Sequence, residues 1–87
     1  MKIEFDYPKA TSNLKKHGVS FDEAASCLLD AMALVREDGY AEDESRWVLL
    51  GMSNQARLLV VVYTLRAEII RLISARKPTK KEASCYE

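Results

Sequence analysis

A chain of 87 residues is one domain, residues 1–87, with room for a single modest core. Its 13 basic and 13 acidic side chains leave no formal net charge, which excludes a protein that holds nucleic acid by bulk charge alone. No apolar run is long enough to span a bilayer, the N-terminus carries no signal-like stretch, and Cys27 and Cys85 fit no metal or redox spacing; the expected setting is the cytoplasm, with no membrane and no cofactor.

Lys2 to Phe5 alternates polar and apolar residues and predicts a short first strand. Asp6 is a suitable N-cap and Pro8 suits a first turn, so a helix is expected over Tyr7 to His17, with Ala10, Asn13, Leu14 and His17 on one face. Gly18 suits the left-handed residue that ends it. Ser20 and Glu23 form a Ser-x-x-Glu capping box for a second helix that ends near Leu29. Ala33 to Arg36 predicts a strand, Glu37 to Glu44 an acidic loop, Arg46 to Met52 a strand and Ser53 to Ala56 a turn. Arg57 to Leu65, apolar and β-branched, predicts a central strand covered on both faces. A tight connection leads to a last strand, Glu68 to Arg76. Pro78 stops it, and Thr79 with Glu82 caps a short helix to Tyr86. The order β-α-α-β-β-β-β-α gives an α+β fold: an antiparallel sheet with the two N-terminal helices on one face and a short C-terminal helix.

The charge is segregated. Glu37 to Glu44 holds five acids and no base, while Arg66 to Lys81 holds six bases and one acid, Glu68. Strict alternation places Arg71 with Ile69, Ile73 and Ala75, and Ser74 and Arg76 with Ile70 and Leu72. A cation inside an apolar strand either runs its stem along a half-exposed edge, pairs with an acid, or grips a phosphate. Arg76, Lys77, Lys80 and Lys81 lie where strand gives way to capped helix, a favourable place for an anion; for Lys80 and Lys81 the other reading is solvated charge. Glu82 and Tyr86, four apart, share a helix face and form either an acid–base pair or a cap and a packing residue. His17 is the one histidine and the side chain expected to titrate near neutral pH, at a helix end that favours a cation. No Ser/His/Asp set, metal-ligand spacing or glycine-rich phosphate loop is present, so any hydrolysis is expected to run without a metal.

Three blocks carry a family resemblance. Lys9-x-x-x-Asn13-x-x-Lys16-His17-Gly18-Val19-Ser20-Phe21-x-x-Ala24 resembles the N-terminal signature of the BrnT toxins. Glu44-x-Arg46 followed by Gly51-x-Ser53 resembles their middle segment, and Arg71-x-Ile73-Ser74-Ala75-Arg76-x-x-Thr79-x-x-Glu82-x-x-x-Tyr86-Glu87 their C-terminal signature. The resemblance covers nearly the whole chain, in order. It implies a RelE-like fold and a type II toxin: a metal-independent endoribonuclease that inhibits translation. The implied partner is a BrnA-type ribbon-helix-helix antitoxin, two copies of each chain forming a heterotetramer that meets operator DNA only through the antitoxin. On that reading Arg71 and Arg76 stabilise charge at the cleaved phosphate, and Glu82, Tyr86 or His17 moves protons. Lys77, Lys16, Arg46 and Lys80 contact RNA, and bases stack on Trp47 or Tyr63 where these are exposed. Pro78 departs from the small residue expected there. The alternative is a non-catalytic antitoxin-binding module, or a degenerate toxin acting as corepressor.

Overall fold

The computed structural model describes residues 2–41 and 44–86, with backbone alone at 40, 41 and 44. The elements are β1 (Lys2–Glu4), α1 (Tyr7–His17), α2 (Phe21–Ser26) running into a 3-10 turn (Cys27–Leu29), β2 (Leu34–Ala41), β3 (Glu44–Met52), β4 (Leu58–Arg66), β5 (Ile69–Arg76) and α3 (Lys80–Ala83). The strands form one sheet in the order β1-β5-β4-β3-β2. β2 to β5 make an antiparallel meander, but β1 returns to pair parallel with β5 (Ile3 opposite Ile70), so the sheet is mixed and not wholly antiparallel as expected. β2 runs through Glu37 to Ala41, part of the stretch expected as an acidic loop; a bulge between Glu37 and Tyr40 absorbs Gly39. Glu42 and Asp43 lie outside the described residues.

α1 and α2 cover one face over β5, and the 3-10 turn lies over β3. The core between these layers holds Val19, Phe21, Ala24 and Cys27 from the helical side and Leu49, Leu59, Val61, Tyr63, Ile70, Leu72 and Ala75 from the sheet. The close approach at β3 depends on Gly51. A Cβ there would stand 2.9 Å from Leu49 Cδ2 and 3.2 Å from both Ala33 Cβ and the Cys27 carbonyl oxygen. Gly18 ends α1 in the left-handed conformation (φ 69°), and its N–H donates to the Leu14 carbonyl. Leu14 and His17 are exposed; of the predicted helix face, Asn13 is buried and Ala10 packs against the core.

Asn13 joins the layers. Its side-chain amide donates to the carbonyls of Val19 and Ala75, each at 2.9 Å, and its Oδ1 accepts from the Ala75 N–H at 3.1 Å. β1 ends at Glu4, opposite Arg71, so the outer edge of β5 beyond that point has no strand beside it. Asn13 supplies there the donor and acceptor that a neighbouring strand would supply.

The same stretch contains a bulge that overturns strict alternation. Tyr63 faces Leu72, but Val62 faces Ser74, leaving Ile73 as the extra residue. Ile70, Leu72 and Ala75 consequently all face the core, and Arg71, Ser74 and Arg76 all face the other way. Replacing Asn13 with Ala strands two carbonyls and one N–H in a buried position. Urea denaturation of Asn13→Ala is expected to show a loss of about 3 kcal/mol; a loss below about 1 kcal/mol contradicts this role for the amide.

Candidate functional site

The sheet face opposite α1 and α2 is organised in cross-strand rows, because directly paired residues point to the same side. One row runs Glu4, Arg71, Thr64, Arg46 across β1, β5, β4 and β3. The next runs Ser74, Val62, Val48, Arg36 across β5 to β2, and a third runs Arg76, Val60, Leu50, Leu34. Four arginines thus surround a floor of valine, leucine and two hydroxyls. Leu34, Val35, Arg36, Val48, Leu50 and Val60 line a groove of about 220 Å³ with Glu82 and Cys85 from the C-terminal segment.

Arg76 is the best-defined cation of the face. Its guanidinium donates two parallel hydrogen bonds to the Glu82 carboxylate, Nη1 to Oε1 at 2.8 Å and Nη2 to Oε2 at 2.9 Å. Glu82 also accepts from the Thr79 N–H at 2.8 Å, while Thr79 Oγ1 accepts from the Glu82 N–H, completing the expected capping box. The Arg76 bonds, with help from Thr79, hold the Glu82 carboxyl down at about 2. Glu82 is therefore an anion at neutral pH and, while so paired, a weak base.

The expected shared face of Glu82 and Tyr86 is absent. α3 stops at Ala83, and the Tyr86 hydroxyl donates to Asp30 Oδ2. That bond raises the phenol's pKa. Asp30 also accepts from the N–H groups of Met32 (2.9 Å) and Met52 (2.8 Å), so it ties the C-terminal segment to β3. Arg71 reaches Glu4 Oε1 at 3.4 Å and is half-exposed. Arg46 lies in the same row, and Lys77 and Lys80 are exposed beyond the end of β5. Lys16 and His17 are elsewhere: with Lys9, Ser12 and Asn13 they line a depression against Ile73 and Ser74, beside the outer edge of β5. Trp47 and Tyr63 pair across β3 and β4 on the core face, so neither offers a stacking surface on the arginine face. Among the described residues, no three His, Cys, Asp or Glu side chains form a metal-ligating cluster.

Sequence reasoning missed one charged centre. Glu23, assigned to a capping box, lets Ser20 cap α2 alone. Its own carboxylate is buried and accepts from Ser53 Oγ (2.7 Å) and from Arg57 Nε (2.9 Å) and Nη2. The Arg57 bonds lower its pKa against the opposing effect of burial. The partners lie 30 and 34 positions away in sequence, and of the two only Ser53 stands in a motif, Gly51-x-Ser53.

Carbon-detected NMR titration of the wild type is expected to place the Glu82 midpoint near 2, and Arg76→Ala to return it toward 4.5. Because the folded-state value is depressed, the Glu82 contribution to stability is present above about 4.5 and fades as pH falls toward 2. An unchanged midpoint in Arg76→Ala contradicts the pairing.

Residues 5–82 match a protein family described as ribonuclease toxin, BrnT, of type II toxin-antitoxin system. Among solved structures, the chain is similar to the 1.1 Å crystal structure of the Brucella abortus ribonuclease toxin, BrnT. Identity is 26%, the TM-score is 0.66, and the match covers 92% of this chain and 99% of that one. No curated relative matches.

Proposed function

The chain belongs to the BrnT family of ribonuclease toxins of type II toxin–antitoxin systems, and from that premise we propose that it is a metal-independent endoribonuclease whose RNA site is the arginine face of the sheet. The observation that carries the reading is Arg76, a forked cation on an open face, holding a carboxylate in the bidentate geometry a phosphate also takes.

In the proposed reaction the 2′-hydroxyl oxygen attacks the adjacent phosphorus, a P–O2′ bond forms, and the P–O5′ bond breaks. Arg76 stabilises the charge that develops on the non-bridging oxygens, and Arg71, in the row of Glu4 and Thr64, holds the backbone away from the cleaved bond. An arriving phosphate competes with Glu82 for Arg76. Once displaced, the Glu82 carboxylate loses the interaction that depressed its pKa, becomes a stronger base, and takes the proton from the 2′-hydroxyl. The leaving 5′-oxygen takes a proton from water. Lys77, Lys80 and Arg46 hold the backbone on either side, while Lys16 and His17 meet the strand where it passes the edge of β5. Tyr86, bound to Asp30, positions α3 instead of moving protons.

The proposed cellular role is arrest of translation in the cytoplasm, with a BrnA-type ribbon-helix-helix antitoxin closing the face in a heterotetramer of two copies of each chain. Its carboxylates would satisfy the same arginines. A second reading, an antitoxin-binding corepressor without catalysis, is favoured by one observation: at rest Glu82 and Tyr86 are both engaged in hydrogen bonds.

Purified protein is expected to cleave single-stranded RNA in EDTA and to leave 2′,3′-cyclic ends. Arg76→Ala is expected to lower kcat about 100-fold or more, and Glu82→Gln by a similar factor of about 100 with a lowered KM, because the competing anion is gone, both with wild-type circular dichroism. Full activity in Arg76→Ala overturns the assignment. No cleavage by the wild type, together with unchanged growth on expression, favours the corepressor.

A further inference from the structure

The row Arg71–Thr64–Arg46 has a property the other rows of the arginine face lack. Thr64 is only 2% exposed although it lies on the face away from α1 and α2. Its Oγ1 has no hydrogen-bond partner among the described residues, and neither has Arg46 Nε, one strand away. Two buried polar atoms left unpaired side by side are unusual, because native folds satisfy nearly all such groups. Thr64 is flanked on both sides by guanidinium-bearing residues, and the carboxylate in the row, Glu4, reaches Arg71 only at 3.4 Å. The row therefore offers an excess of donors and a deficit of acceptors.

From this we propose that Arg46, Thr64 and Arg71 form a second phosphate subsite, distinct from the Arg76 site, that takes a non-bridging oxygen of a phosphodiester flanking the one cleaved. The inference rests on the functional reading above and adds to it a residue, Thr64, and a minimum substrate length. Thr64 is four residues from Val60, the partner of Arg76, so the two subsites are roughly 13 Å apart along the strands. One phosphodiester cannot occupy both. The substrate is a single strand that lies along the sheet and presents more than one phosphate, with its bases over the apolar floor of Val48, Val62 and Val60. When Arg71 leaves Glu4 for the incoming phosphate, the Thr64 hydroxyl and Arg46 Nε donate to the same oxygen.

Thr64→Val removes the hydroxyl and preserves the shape. Binding is measured with 2′-O-methyl RNA, which cannot be cleaved, as a dinucleotide carrying one phosphate and as a tetranucleotide carrying three. The expected result is a roughly tenfold weaker tetranucleotide complex for Thr64→Val, an unchanged dinucleotide complex, a urea midpoint no lower than wild type, and recovery of tetranucleotide binding in Thr64→Ser. Wild-type tetranucleotide affinity in Thr64→Val overturns the subsite alone, as does equal wild-type affinity for the two RNAs. A lowered urea midpoint also overturns it, because the hydroxyl then serves the fold. Failure of the wild type to bind either RNA overturns the functional reading and the subsite with it.

Discussion

Everything on the arginine face depends on the side-chain amide of Asn13. A polar residue in the sheet-facing side of a helix is costly unless its donors and acceptor are met, and here all are met by backbone. The amide closes the edge of β5 beyond the end of the short parallel strand β1, and it fixes Ala75 facing inward. With Ala75 inward and Leu72 inward, one residue must be surplus between them, and Ile73 is that residue. The bulge that results puts Arg71, Ser74 and Arg76 on one side. A strand of the same composition without it would carry Arg76 into the core.

The two faces of the sheet then divide the work. One is filled by apolar packing and by the buried Glu23–Arg57 pair, in which a carboxylate held away from water is tolerated because Arg57 and Ser53 satisfy it. The other is left with a floor of small apolar and hydroxyl side chains under four arginines. The C-terminal segment covers part of it and is fastened at two points, Glu82 to Arg76 and Tyr86 to Asp30. The first fastening is a bidentate ion pair at the surface. The second involves Asp30, whose carboxylate is also committed to the backbone of Met32 and Met52.

Local signals in the sequence were read well. Pro8 and Gly18 bracket α1, Ser20 caps α2, Thr79 and Glu82 cap α3, and the run of β-branched residues in β4 marks the middle of the sheet. Features set by distant partners were not legible. Nothing near Lys2 announces that β1 pairs parallel with β5, and nothing near Glu23 announces Arg57. Acidic composition suggested a loop at Glu37 to Ala41, yet an edge strand tolerates charge well. Alternation could not place Arg71 and Arg76 together, because a bulge leaves no local mark and the amide that holds the backbone of Ala75 belongs to Asn13, 62 positions away. Several residues of the family signature, Asn13, Gly51 and Ser53 among them, hold the fold.

Whether RNA binds the face created by the bulge is open to direct measurement. The most direct measurement is an NMR titration of the backbone amides and arginine Nε–H groups with a 2′-O-methyl single-stranded RNA. The shifts are expected to fall on Arg46, Val48, Val62, Thr64, Arg71, Ser74 and Arg76, with loss of the Arg76–Glu82 signature. Shifts confined to α1 around Lys16 and His17, with the arginine face unmoved, would contradict it.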